Sequence, residues 1–269
     1  MVDRIFIEPQ EVVKHLDDFV MLDCRYRLTD TFYGEKAFRK STIPGAFYFD
    51  LNKDMASPVK DIGGRHPLPD MNILRKKLEN SGISTDSKVV CFDDNLSGAA
   101  RMFLLLEILG VLNVKILRGG FPKWVELGYP CSEGVGKSNT IGKIKVKETT
   151  ENIATHSDII SIEDSSVIDA RENYRYLGEK EPIDTIPGRI PGAINIPYTD
   201  LMDGIGLKSE EELRSILKGS RDGDIIYCGS GVTSCINYIA MKSIGIQPRL
   251  YVGSYSDWIS RNLKVESGK

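Results

Sequence analysis

The sequence predicts an α/β protein built from two copies of one domain, each a mostly parallel sheet with helices on both faces. Three observations carry this. Short runs such as Phe19-Val20-Met21-Leu22 and, after Lys88, Val89-Val90-Cys91-Phe92 are continuously apolar, as strands covered on both faces must be. Capped helical patterns alternate with these runs, which is the order a parallel sheet requires. The chain also nearly repeats itself once. Val20-Met21-Leu22-Asp23-Cys24-Arg25, followed by Ile43-Pro44-Gly45-Ala46, returns as Val167-Ile168-Asp169-Ala170-Arg171, followed by Ile190-Pro191-Gly192-Ala193. Gly110 answers to Gly245 and Trp124 to Trp258. A single duplication explains this better than a solenoid, which needs more and shorter units.

Each element has a local reason. In the first copy, Asp70 can cap a helix that carries Ile73, Leu74 and Leu78 and stops near Gly82. The basic run Arg75-Lys76-Lys77 on that helix reads as a solvated face. Residues Ser132 to Asn139 are rich in Gly and Ser and read as a linker, giving domains at 1–131 and 143–269 with 132–142 between them. In the second copy, Ser209 and Glu212 form a capping box ahead of Leu213, Ile216 and Leu217. Asp224-Ile225-Ile226-Tyr227 reads as a strand, and Val232 to Ile244 as a helix with Ile236, Ile239, Ala240 and Ile244 on its apolar side.

Composition narrows the function. The 269 residues are 41% hydrophobic and 27% charged, and 35 basic against 38 acidic side chains leave a net charge of -3. That balance offers no nucleic-acid surface. No apolar run approaches membrane-spanning length, and Met1 to Arg4 lack the features of a secretory signal. Five scattered cysteines have neither a disulfide framework nor zinc spacing, so a reducing cytoplasm and a free thiol are expected.

Among those cysteines Cys228 stands apart. It falls where a strand hands over to a helix, the edge of an open α/β sheet at which ligands bind. Gly229 and Gly231 let the following loop curl so that main-chain N–H groups point inward, and the helix dipole adds partial positive charge. Both favour thiolate over thiol. A lone cysteine at a strand end is more often a small buried hydrophobe, and that reading suits Cys24, Cys91 and Cys235 better.

The stretches Asp169-Ala170-Arg171, Gly188-Arg189-Ile190-Pro191-Gly192-Ala193, Cys228 to Thr233, and Gly63-Gly64-Arg65-His66-Pro67-Leu68-Pro69 together carry a resemblance. Over essentially its whole length the chain resembles the tandem-domain rhodaneses, the thiosulfate and 3-mercaptopyruvate sulfurtransferases. The resemblance implies two rhodanese-like domains, of which the second is active and the first, with Asp93 where Cys228 stands, has lost its nucleophile. It implies a Cys228 persulfide, formed from 3-mercaptopyruvate or thiosulfate and passed to cyanide, a small thiol or a protein thiol, with no metal or organic cofactor. Arg175 is implied to face the substrate anion, alongside Gly229, Gly231, Val232 and Thr233. Ser230 and His66 are implied to form a hydroxyl–imidazole relay, with Asn52 standing where the family places an aspartate. Arg171 reads as structural. Thr233 and Ser234 can cap the helix or donate to the Cys228 sulfur. The uncharged Gly229-Ser230-Gly231 resembles the mercaptopyruvate-preferring loop, whereas the second substrate arginine of that group falls near Asp184.

Two other classes stay open. A cysteine phosphatase would need an arginine where Ser234 stands, and a non-catalytic binding module would have lost Cys228. A monomer that contacts no membrane or nucleic acid is the expected form.

Overall fold

The computed structural model describes residues 5–136, 138, 140–145, 150–163 and 166–268. Met1 to Arg4, and Lys137 and Asn139 of the expected linker, lie outside them.

Two five-stranded sheets form. The first holds β1 (Phe6–Ile7), β2 (Val20–Asp23), β3 (Phe47–Tyr48), β4 (Lys88–Phe92) and β5 (Asn113–Leu117), and the second holds β6 (Ile153–Ala154), β7 (Val167–Asp169), β8 (Ile194–Asn195), β9 (Ile225–Tyr227) and β10 (Arg249–Tyr251). The orders are β1-β5-β4-β2-β3 and β6-β10-β9-β7-β8, the same arrangement twice. All pairs are parallel, with Asp23 beside Phe92 in one sheet and Asp169 beside Tyr227 in the other. The repeat read from the sequence is therefore a repeat of topology and register.

The central strands are buried because helices cover both faces. Val89, Val90, Cys91 and Phe92 are fully buried, as are Ile226 and Tyr227. Trp124 and Trp258 play identical parts, each buried, with its indole N–H donating at 2.8 Å to the carbonyl six residues on, at Pro130 and Lys264. Asp70 caps the helix Met71–Asn80 through Asn72 N–H and Ile73 N–H, and the Ser209–Glu212 capping box is present.

Three details differ from expectation. Ile73 is 67% exposed, because Leu74 and Leu78 already fill the core-facing stripe of its helix. The helix after β9 begins at Ser234 rather than Val232, since Gly231 at φ 74 keeps the chain in a loop until then. Its ten residues are buried almost all round, because the first copy covers the side that an isolated domain would leave to water.

That covering is extensive. The helix Ser97–Ile108 of the first copy packs against the helix Ser234–Ser243 of the second. Tyr238 donates to Glu107 at 2.6 Å, and Lys242 pairs with the same carboxylate. The loop 63–67 also crosses to the second copy. There Gly63 N–H donates to Asp257 at 2.8 Å and Arg65 N–H to Ser256 Oγ at 3.1 Å. Gly64 sits at φ 80 so close to the partner loop that a Cβ would lie 2.4 Å from the Gly253 carbonyl. After the first copy, Gly142, Lys143, Ile144 and Lys145 donate their N–H groups to Glu79, Ser84 and Thr85, so this stretch runs along the first copy. No helix among the described residues is long and apolar enough to cross a membrane.

Candidate active site

Cys228 is the first residue beyond β9; it is buried among the core residues of the second copy, yet its sulfur also meets polar donors. Gly231 N–H lies 3.1 Å from Sγ and Ser234 Oγ lies 3.2 Å from it. The left-handed turn at Gly231 produces the first contact, and there a Cβ would stand 2.2 Å from the Val252 carbonyl. Burial pushes the Cys228 thiol up. The Ser234 and Thr233 hydroxyls and the Ser234 and Ser230 N–H groups outweigh it, so its pKa ends below the ordinary cysteine value. This is the nest expected at a strand–helix turn, with hydroxyls added to the main chain. Thr233 is the N-cap by position but makes no side-chain cap bond.

The other thiols lie as expected of filler. Cys24, Cys91 and Cys235 are fully buried, and Cys235 donates to the Gly231 carbonyl. Burial pushes its pKa up to about 12.

His66 and Ser230 come together across the two copies, Nδ1 to Oγ at 2.8 Å. Burial, and then the Arg101 and Arg65 charges, lower the His66 pKa to about 4, so the imidazole is neutral near pH 7. No carboxylate completes a triad among the described residues. Asp50 accepts from the N–H groups of Asn52 and Lys53, and Asp54 pairs with Lys77. Asn52, the positional counterpart, is exposed.

Arg175 reaches the loop from the short helix Asn173–Tyr176 but is already occupied. Its guanidinium bonds Glu181 at 3.0 and 3.1 Å and Asp184 at 2.9 Å. Arg171, fully buried, grips Asp169 and the Gly188 carbonyl, the structural part expected of it. Arg65, which sequence reading passed over, points into the same place and pairs with the other oxygen of Asp184. A Cβ on Gly229 would stand 2.8 Å from Arg65, 3.3 Å from Arg175 and 3.5 Å from Asp184. The loop is thus capped by two guanidiniums that share one carboxylate. The signal for Arg65 was its place beside His66, because any loop that delivers His66 across the interface delivers Arg65 with it.

Comparison with known proteins agrees with this geometry. A model of the rhodanese-like domain matches twice, at residues 8–127 and 152–261. The chain is 38% identical over 256 residues to a Pseudomonas aeruginosa protein named "Probable 3-mercaptopyruvate sulfurtransferase", covering 90% of each. It is 28% identical to the thiosulfate sulfurtransferase of Mus musculus, covering 93% of this chain and 89% of that one. The solved structure of a 3-mercaptopyruvate sulfurtransferase from Leishmania major superposes with a TM-score of 0.82 at 28% identity, covering 94% of this chain and 74% of that one. The duplicated sheet, the thiol-bearing turn and these matches converge: the chain belongs to the tandem-domain rhodanese-like sulfurtransferase family.

Proposed function

We propose that this sulfurtransferase carries sulfur on Cys228 and takes it by preference from 3-mercaptopyruvate. The observation that carries the first part is the Cys228 sulfur held by Gly231 N–H and Ser234 Oγ, which favours a thiolate and would equally hold a persulfide anion. The thiolate attacks the donor sulfur, and a Cys228 S–S bond forms as the donor's C–S bond breaks. The electron pair of the broken bond goes to the departing pyruvate enolate. The proton of the donor thiol ends on that carbon, leaving pyruvate and a persulfide. Ser230 and neutral His66, 2.8 Å apart, would relay it. A thiolate or cyanide acceptor then attacks the outer sulfur and returns Cys228 as thiolate. Protein thiols are within the same chemistry.

The charge balance supports the donor. Arg65, Arg171 and Arg175 face Asp169, Glu181 and Asp184, and Glu172 lies 3.7 Å from Arg175 as well, so the site carries no surplus of positive charge before substrate enters. The donor's anionic end would take the place of Asp184 between Arg65 and Arg175, and Gly229, Gly231, Val232 and Thr233 would line its path to Cys228. A monoanion meets less opposition there than the thiosulfate dianion does. One feature favours thiosulfate as a second donor: Asp184 stands where the mercaptopyruvate-preferring relatives are expected to carry a second arginine. For thiosulfate the S–S bond breaks and sulfite leaves with the electron pair. Steady-state rates with both donors test this. A higher kcat/KM for 3-mercaptopyruvate is expected, and a higher value for thiosulfate reverses the assignment.

The phosphatase alternative loses support at Ser234, whose hydroxyl bonds the sulfur where an arginine would be needed. The binding-module alternative fits Asp93 but not Cys228. The extensive burial between the two copies supports a monomer divided at 132–142, and the free buried thiols suit a reducing cytoplasm.

A further inference from the structure

We propose that Arg101, carried by the first copy, is a positioning residue for the Cys228 loop and the buried positive charge that faces its thiolate. The proposal rests on Cys228 being the reactive thiol.

Arg101 lies on the helix Ser97–Ile108 and is fully buried. Its guanidinium reaches into the second copy, where Nη1 donates to the Gly231 carbonyl at 2.7 Å. Nη2 donates to the carbonyls of Met55 at 3.1 Å, His66 at 3.0 Å and Pro67 at 3.3 Å. One side chain therefore ties the residue whose N–H holds the Cys228 sulfur to the segment that delivers Arg65 and His66. Every one of these partners is neutral, and Nε has none among the described residues.

A guanidinium stays charged, and a buried charge answered only by carbonyls is costly unless an anion lies nearby. The ionisable groups that favour its charge are Cys235 and Cys228, then Tyr26, while His66 faces it from the loop 63–67 and is held neutral. Burial holds Cys235 as the neutral thiol, which leaves Cys228, its pKa lowered, as the thiol able to supply a counter-charge.

The duplication sharpens the point. With Asp93 matched to Cys228, Arg101 falls at the place of Ile236, which is also fully buried. The two helices share a fold position, yet only the copy facing the live loop spends it on a cation. A core that needed packing alone would accept the isoleucine its twin has.

Two variants test this: Arg101→Ile, which installs the twin's residue, and Arg101→Lys, which keeps the charge. The readout is the rate of iodoacetamide alkylation against pH in a Cys131→Ser background, which removes the exposed thiol, with Cys228→Ser confirming that the signal belongs to Cys228. Were Cys228→Ser to leave the signal intact, the reading of Cys228 itself would fail, separately from that of Arg101. For Arg101→Ile the midpoint should move up by about one pH unit, lowering the rate well below the midpoint about tenfold. Arg101→Lys should keep the midpoint while losing kcat/KM about tenfold, because an ammonium cannot span all four carbonyls. A folded Arg101→Ile with an unchanged midpoint overturns the electrostatic role. An Arg101→Lys with wild-type kcat/KM overturns the positioning role. If Arg101→Ile does not fold, Arg101→Lys still decides the charge question, since a midpoint shifted as far as one unit would show that a retained cation does not set it.

Discussion

The turns that follow β4 and β9 are the same piece of backbone put to opposite uses. In both, the third residue after the key position is left-handed, Leu96 at φ 72 and Gly231 at φ 74. In both, that residue's N–H points back, to Asp93 Oδ1 at 2.8 Å and to Cys228 Sγ at 3.1 Å. The sixth residue closes each nest, Ala99 through its N–H at 3.1 Å and Ser234 through its hydroxyl at 3.2 Å. The ring of donors is thus a property of the strand–turn–helix geometry and does not itself make a catalyst. A carboxylate fills the first nest and a thiol of lowered pKa fills the second, and of the two only the thiol has the chemistry to take up and pass on a sulfur. The first copy has instead become a supplier, sending Arg65, His66 and Arg101 across the interface.

The largest expected effect comes from exchanging the occupants. Cys228→Ser should lose turnover by on the order of 10³-fold or more, since a serine hydroxyl carries no persulfide. Adding Asp93→Cys to that variant should restore an alkylatable thiol but no sulfur transfer, because Arg175 and the His66–Ser230 pair lie at the second loop. Mass spectrometry after donor treatment and a pyruvate assay check both halves. Turnover recovered in the double variant would mean that the nest alone makes the enzyme. Next in size is Gly231→Ala. Leu96 shows that the backbone tolerates a side chain at this φ, but at Gly231 the Val252 carbonyl occupies the space. A loss of about 2 kcal/mol in urea unfolding and about 100-fold in kcat is expected. A variant of wild-type stability would show that the turn has room.

Most of the fold was legible because it rests on local chemistry repeated twice. Continuous apolar strands, the caps at Asp70 and Ser209 and the matched tryptophans each announce themselves in sequence, and the register follows once the copies align. Cys228 was legible for the same reason, as a strand–helix turn with glycines. What the sequence hid is contributed across the interface. Arg65 and Arg101 lie far in the chain from Cys228; Arg65 is marked only by its place beside His66, and nothing local marks Arg101 as more than a helix arginine. The full burial of the helix Ser234–Ser243 was hidden likewise, since the first copy provides the cover. Asp184 was visible only as a departure from the family, and its place between two guanidiniums is a tertiary fact.

Smaller effects probe the pairs through which the two copies meet beside Cys228. His66→Gln and Ser230→Ala should each lower kcat about 10- to 100-fold with 3-mercaptopyruvate and less with thiosulfate, whose sulfite leaves without needing a proton. Equal losses with both donors would make the pair structural. Asp184→Asn should lower KM for thiosulfate about tenfold and for 3-mercaptopyruvate less, because it leaves the two guanidiniums one negative charge short. A raised KM for both would show that Asp184 holds the arginines in place instead.

The subtlest test sets Asp93, the carboxyl group in the first nest, against His66, the imidazole that meets Ser230 beside the second. Burial raises Asp93 from 3.8 to about 6 against the pull of the Ala99 and Leu96 N–H groups. Its contribution to stability is therefore full below pH 3.8 and is lost as pH rises through about 6. His66 runs the other way. Lowered from 6.5 to about 4, it contributes fully above pH 6.5, and that stability is lost as pH falls through about 4. Each shift is worth about 3 kcal/mol, so in the wild type the two slopes largely cancel between pH 4 and 6. Single replacements separate them. Asp93→Asn leaves the histidine term, and unfolding free energy should fall on acidification relative to wild type. His66→Gln leaves the aspartate term, and it should rise. Urea unfolding at pH 7, 6 and 5 reads both slopes. If the two variants moved in parallel, at least one of these groups would not hold the protonation state that its surroundings impose.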